Sequence, residues 1–553
     1  MLNKREPTEA KSRGGVVNFI KQIVYIITII LTITYIVYRI GFTLPTQLGA
    51  LGLILSIIIL VLEIWEALDF FAYYLNILSV NKKSPKTPKI SNTKLYDDVD
   101  VLIATLNESE SLLRNTIESC KKMKYPDKSK VHIYVCDDGS RANIKVLADE
   151  LGVNYITRHT NEDAKAGNYN HALKKITSPF VATFDADMVP TENFLLKTVP
   201  FLIEDEKIGF VQLPQSFKNP DIFQTRFGLS KKIPFEQDYF YHSIQIAKNA
   251  TNSAIYCGTN TVFRRKALDD AKGFAKNTIS EDIATGMQIE SKGYKGVALN
   301  DVEAYGLAVE DVTGFIKQRS RWARGCIQIF KNHKIIRNSG LRFRQKIEYL
   351  SCISYWFFGL KRMLYMIAPL LFSIFGIIIV DCDLKTFIAI WLPTYLLKRF
   401  VIDISEHNKR SATWNKIYET ILTPALCKEV LKEFFGFGST KFEVTPKYGA
   451  SKNMTNTHKK LFLSHLILLA LSIVGFIMSI FKIYSQGITV YIISFIWLIS
   501  NIYYLTASII FDLSKKNNKK IAEKFQPNEI KKYGRLSSLL IFFKIFGNKM
   551  EEK

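Results

Sequence analysis

The hydrophobic pattern divides the chain into three parts. Two long apolar runs open it, residues 17–40 and 48–62, and the middle carries only short alternating runs. Four further apolar runs follow, at 364–380, 386–397, 461–483 and 488–511. Crossing roughly 30 Å of hydrocarbon takes about 20 apolar residues in a helix, so the pattern predicts about six transmembrane helices. The weakest is 386–397, which is short and carries Pro393; a re-entrant segment there would change the topology. The second run continues through Glu63, Trp65 and Glu66 to Asp69, as a helix emerging from a membrane would, and residues 82–94 form a polar, Pro-containing linker.

Between about 98 and 328 the pattern is that of an α/β domain. Residues 99–104, 131–136, 153–157 and 180–184 are β-rich runs that each end in polar residues, while 109–122 and 165–175 read as helices. Alternation of this kind predicts a mostly parallel sheet, with ligands at the carboxyl ends of its strands. Residues 412–437 alternate apolar and charged positions. An ordinary helix fits, but the place between spans favours one lying in the membrane interface, and 539–546 reads as a second such segment. The expected organisation is two membrane helices in 1–80, the α/β domain in 81–348, a membrane region in 349–513 and a basic tail in 514–553.

Charge refines this picture. The 553 residues carry a net charge of +24, with a mean hydropathy of only +0.06 because the polar middle dilutes apolar ends. No nucleic-acid recognition motif accompanies the positive charge, whereas basic segments beside membrane spans mark the cytosolic face. Residues 331–346 and the tail from Lys515-Lys516 then fall inside, and 41–47, without Lys or Arg, falls outside. The α/β domain is therefore expected in the cytosol. The seven cysteines show no C-x-x-C spacing, which argues against a zinc site or a disulfide framework. Residues 23–38 follow basic residues but lack a small-residue cleavage site, so a retained first helix is expected.

Four polar motifs punctuate the middle. Asp137-Asp138-Gly139 ends a buried run; alone it reads as a turn, yet a carboxylate there can accept bonds from a nucleoside, and Thr105, Asn107 and Glu108 end the preceding strand on the same edge. Lys165 beside Gly167 opens a helix, a place suited to phosphate and equally common for a solvated lysine. Asp185-Ala186-Asp187 ends an apolar strand, and alternate residues face one way, so both carboxylates can approach one hard cation, Mg²⁺ or Mn²⁺, held jointly with diphosphate oxygens. Ser280-Glu281-Asp282 fits a helix N-cap and a general base about equally. On a helix, Gln318, Arg321 and Trp322 share a face at i, i+3 and i+4, offering a planar fork for a diphosphate and a ring for stacking on a sugar.

In this order and spacing the motifs resemble processive family-2 glycosyltransferases, most closely the bacterial cellulose synthase catalytic subunits. Tyr256-Cys257-Gly258-Thr259-Asn260 is similar to that family's acceptor-site element, and Phe442-Glu443-Val444-Thr445-Pro446-Lys447 to its gating loop, placed at 437–450. The resemblance implies a GT-A domain inserted between membrane helices. It implies Asp137 and Asp138 on the uridine, Lys165 near the phosphates, and Asp185 and Asp187 on metal and diphosphate. Asp282 would be the base, Gln318 and Arg321 would grip the diphosphate, and Cys257, Glu281 and Trp322 would flank the acceptor sugar. The usual Thr-Glu-Asp is Ser280-Glu281-Asp282 here, which keeps the hydroxyl. A short basic tail stands where such synthases often carry a cyclic-di-GMP-binding barrel, so activation by that messenger is not expected.

The expected activity is polymerisation of UDP-glucose into a β-glucan, β-1,4 or mixed β-1,3/1,4, with export across a bacterial plasma membrane. The partners are UDP-glucose, the growing glucan and the lipid bilayer, with no nucleic acid; an accessory export subunit is compatible but not required. A chitin- or hyaluronan-type synthase keeps the fold and changes the sugar to UDP-GlcNAc, with or without UDP-glucuronate. A non-catalytic sugar sensor or transporter is the alternative of another class.

Overall fold

A seven-stranded sheet positions the polar motifs. In this computed structural model the residues described are 8–79, 84–227, 233, 235–276, 278–309, 311–405, 411–437, 455–486 and 488–513. The sheet contains β1 (Val99–Thr105), β2 (Val131–Asp137), β3 (Asn154–Thr157) and β4 (Phe180–Asp185). A short β5 (Val189–Pro190) precedes β6 (Ile208–Gln212), and β7 (Ser216–Phe217), β8 (Thr261–Arg264), β9 (Lys295–Ala298) and β10 (Ala304–Gly306) complete the set. The main order is β3-β2-β1-β4-β8-β6-β9, and β5, β10 and β7 form a small second sheet. In the main sheet the pairs among β1 to β4 are parallel and β8 runs against its neighbours β4 and β6, while in the small sheet β10 runs against β5.

The inner strands are near-continuous apolar runs because helices cover both faces of the sheet. Val99, Val101, Leu102 and Ile103 of β1 and Val181, Ala182 and Phe184 of β4 are all fully buried. Register then does the positioning. Thr105 pairs with Asp137, and Ala104 pairs with Asp185, so the polar ends of three strands fall within one residue of each other at the carboxyl edge.

Five helices are long and apolar enough to cross a membrane among the described residues. They are Phe19–Phe42, Ala50–Tyr74, Phe358–Phe375, Phe462–Tyr484 and Tyr491–Leu513, close to the expected six. The expected 364–380 span begins and ends earlier, because Gly376 takes a left-handed conformation (φ +71°) and ends the helix at Phe375. Residues 386–397 lie within a longer helix, Leu384–Ser405. Lys385, Lys398, Arg399 and Asp403 make it more polar than the other five. It lies against the first span, where the Thr394 hydroxyl donates to the Leu31 carbonyl at 3.3 Å.

The α/β domain and the membrane region share a core. Phe223 stacks on Tyr418 at 4.0 Å and meets Phe511 at 5.2 Å, and Arg226 donates to the carbonyls of Phe511 and Asp512. The helix Ala412–Phe434 runs through this core with Trp414, Ile417, Ile421, Leu426 and Val430 buried. Protein contacts take up its apolar positions on more than one face. Phe442, Val444, Thr445 and Lys447 of the expected gating loop lie outside the described residues, as do the tail and residues 539–546.

Candidate active site

At the carboxyl ends of β1 and β4 opens a cleft of about 1440 Å³. Every described candidate residue lines it except Asp137. Thr105, Asn107, Glu108 and Asp138 stand at one end, Lys165, Asp185 and Asp187 in the middle, and Cys257, Glu281, Asp282, Gln318, Arg321 and Trp322 at the other.

The first end departs from the sequence expectation. The Asp137 side chain is fully buried and accepts from the backbone N–H groups of Gly139 (3.0 Å) and Arg141 (2.8 Å), and from Tyr155 Oη (3.0 Å). Arg141 also grips it through Nε and Nη2, while donating to the Glu108 carbonyl at 2.6 Å and Thr105 Oγ1 at 2.7 Å. Asp137 thus ties two strand-end loops together, and its side chain turns inward where the expectation had it on a nucleoside in the cleft. Asp138 does face the cleft, with both oxygens held by Arg158 at 2.6 and 2.8 Å. Glu108 folds back to accept from Thr105 Oγ1 and the Leu106 N–H, each at 2.8 Å.

In the middle, Lys165 sits in the first turn of the helix Ala164–Leu173 and donates to Asp185 Oδ1 at 2.5 Å and to the Gly258 carbonyl at 2.6 Å. Burial pulls its pKa down, but Asp185, Glu281 and Asp282 outweigh that and leave it raised. Gly258 holds φ at +83°, and a Cβ there would meet Asp282 Oδ2 and Lys165 Nζ, each at 3.3 Å. Left-handed backbone costs a residue with a Cβ about 1–2 kcal/mol. Gly258→Ala is therefore expected to lower the melting temperature of the purified protein, and an unchanged value would remove the argument from strain.

The far end is pinned from outside the sheet. Ile279 N–H donates to Gln328 Oε1 at 3.0 Å, and a Cβ on Gly325 would strike Ser280 Oγ at 2.0 Å, so the loop before Glu281 rides directly on the helix Val312–Asn332. That contact brings Glu281 and Asp282, in the first turn of Glu281–Ser291, toward Arg321. Both acids keep an edge on the cleft, yet burial pushes Asp282 up and, helped by the charge of Asp282, pushes Glu281 up to about 7. Burial, together with Asp282, also raises the Cys257 thiol. Trp322 packs edge-on to Trp356 at 6.2 Å, and Trp356 stands two residues before the Phe358–Phe375 span.

Two residues that sequence reasoning missed organise this site. Arg158, one residue beyond β3, emerges at the same sheet edge as the motifs, which is the signal that could have found it. Arg319 lies inside a motif already singled out, but on the buried face of its helix. Among the described residues no group of three His, Cys, Asp or Glu side chains could hold a metal unaided. Asp185 and Asp187 do fit a hard cation that takes one or two protein carboxylates and completes its shell with phosphate oxygens.

Comparison with known proteins gives this geometry a context. Residues 100–271 match the model of glycosyl transferase family 2, and residues 269–504 match that of cellulose synthase. The UDP-forming cellulose synthase catalytic subunit of Pseudomonas fluorescens (strain SBW25) is 33% identical over 415 residues, covering 74% of this chain and 56% of that protein. Its counterpart in Xanthomonas axonopodis pv. citri (strain 306) is 31% identical over 397 residues, covering 72% and 54%. The chain thus spans about half the length of these two relatives. A mannosyltransferase from Pyrobaculum calidifontis, solved with GDP-Man and Mn²⁺, superposes at a TM-score of 0.46 and 18% identity over 69% of this chain and 98% of that one.

Proposed function

Because the chain belongs to glycosyl transferase family 2 and is related to cellulose synthases, we propose that it is an inverting, processive β-glucan synthase. It polymerises glucose from UDP-glucose, with β-1,4 or mixed β-1,3/1,4 linkage, and passes the chain out between its membrane helices. The α/β domain faces the cytosol of a bacterium, and the helices lie in the plasma membrane.

The observation that carries this reading is the grouping of Asp282, Lys165 and Arg321 in one cleft whose far wall, Trp322, abuts Trp356 at the start of the membrane region. Asp282 takes the proton from the terminal hydroxyl of the growing chain. That oxygen attacks C1 of the donor, and the bond from C1 to the diphosphate breaks with its electron pair leaving on UDP. Inversion of an α-linked donor gives a β-linkage. Lys165, Arg321 and Gln318 donate to the diphosphate oxygens where charge accumulates. Asp185 and Asp187 would hold Mg²⁺ or Mn²⁺, which when bound would further neutralise that charge. Thr105, Asn107, Glu108 and Asp138 line the nucleoside end, Asp137 supports them from behind, and Cys257, Glu281 and Trp322 surround the acceptor.

The base must be ionised to accept a proton, and burial raises Asp282 above the ordinary carboxylate value of about 4. Beside it the Glu281 carboxyl is pushed up to about 7 by burial and by the charge of Asp282. Initial rates of UDP release are therefore expected to fall as the pH drops through the protonation of Asp282, and to do so at a higher pH than an ordinary carboxylate would dictate; a rate that holds from neutral pH down to about pH 4 would place the base elsewhere.

The activity itself is tested by incubating detergent-purified protein with UDP-glucose and Mg²⁺ or Mn²⁺, then digesting the product with linkage-specific glucanases. Polymer cut by a β-1,4-specific or a lichenase-type enzyme supports the proposal and sets the linkage. Polymer formed only from UDP-GlcNAc, with or without UDP-glucuronate, overturns the donor.

A further inference from the structure

Arg319 is buried, and two of its neighbours, Gln318 and Trp322, line the cleft. Its Nη1 donates to Gln318 Oε1 at 2.7 Å. Its Nε donates to Glu236 Oε1 at 3.3 Å, and its Nη2 donates to Glu236 Oε2. The guanidinium carbon lies 4.5 Å from the centroid of Phe315 and 4.3 Å from that of Trp322. Glu236 is fixed in turn, because its backbone N–H donates to Asp221 Oδ2 at 3.0 Å, and the other Asp221 oxygen accepts from Gln224 N–H at 2.8 Å.

Resting on the glycosyltransferase reading above, we propose that Arg319, anchored by Glu236, is a positioning residue that sets how Gln318 and Trp322 meet donor and acceptor. Two physical consequences carry this. A guanidinium has donors only, so the Gln318 carbonyl must turn toward Arg319 and its NH₂ toward the cleft. A flipped amide would set donor against donor. The end of Gln318 offered to the ligand is then a hydrogen-bond donor, the polarity a diphosphate oxygen needs. The second consequence concerns Trp322. Cation–π contact with Arg319 occupies one face of the indole and so fixes the orientation in which the ring can meet a sugar. Glu236 neutralises the Arg319 charge, so Arg319 acts through these two neighbours and not on the diphosphate directly.

An ordinary buried ion pair would look similar, and two readouts separate the cases. One is equilibrium affinity for UDP in the presence of Mn²⁺, which needs no turnover. The other is the ratio of donor hydrolysis to sugar transfer, which rises when the acceptor platform loosens but does not change when protein is merely lost. Arg319→Lys and Glu236→Gln are expected to weaken UDP binding about tenfold, the loss of one well-aimed bond to a charged ligand, and to raise the hydrolysis ratio. Gln318→Glu keeps an acceptor for Arg319 but turns a carboxylate toward the diphosphate, so it should weaken UDP binding more than Gln318→Met does.

Arg319→Lys protein with the wild-type melting temperature, UDP affinity and hydrolysis ratio would reduce Arg319 to an ion pair and overturn the proposal. So would Gln318→Glu protein that binds UDP as tightly as wild type. Wild-type protein that binds UDP but forms no polymer would sink the glucan-synthase reading, and the UDP arm would still decide the role of Arg319.

Discussion

Asp282→Asn protein is expected to bind UDP within a few-fold of wild type and to make polymer about 10³-fold more slowly, within the range that a positioned general base contributes. The substitution preserves shape while removing one negative charge beside Lys165, Glu281 and Arg321. An asparagine keeps the side-chain oxygen that accepts from the Ile283 N–H at 2.8 Å, and it keeps the volume that the Gly258 backbone leaves open. What it removes is the carboxylate that can take a proton from an attacking hydroxyl. Glu281→Gln is the necessary comparison, since Glu281 lies in the same turn and its carboxyl is pushed up to about 7 by burial and by Asp282. If Asp282 is the base, Glu281→Gln loses far less activity than Asp282→Asn when UDP release and polymer are measured together. The opposite ranking would move the base to Glu281.

Much of this site was legible in the sequence because parallel strands buried on both faces are written as short apolar runs, and their last residues fall at one edge. Strands β1, β2 and β4 matched their runs to within a residue, and register did the rest by bringing Thr105, Asp137 and Asp185 within one residue of each other. What could not be read was which way adjacent carboxylates turn. Asp137 and Asp138 are neighbours in sequence, yet Arg141 and Arg158 approach from different loops and draw one inward while the other faces the cleft. Such partners depend on long-range packing that no local spacing encodes. The same holds for Arg319, whose partner Glu236 is far away in sequence and lies in no motif. At the membrane, composition located the spans but not their ends: Gly376 stopped one helix early through backbone conformation, and the helix Leu384–Ser405 runs on past its apolar stretch into charged residues.

Arg321 is the other residue whose loss should be severe, through a different step. It lies one helical turn beyond Gln318, with Asp185, Glu281 and Asp282 around it, and burial pulls its pKa down against their opposing charge. A guanidinium remains charged even so. The site therefore holds a partly desolvated guanidinium among acids, and it is the guanidinium's donors that would meet an incoming diphosphate, whose charge grows as the C1–O bond breaks. Removing one donor aimed at developing charge costs about 10²–10³ in rate, and Arg321→Ala is expected to fall there in single-turnover UDP release. Arg321→Lys restores the charge without the planar fork, so it should recover part of that loss, and more in UDP affinity than in rate. The split matters: equal recovery of both would mean that Arg321 serves only to bind the ground-state nucleotide. If Arg321→Ala released UDP at the wild-type rate, the leaving group would have to be stabilised from the Lys165 and Asp185–Asp187 side alone.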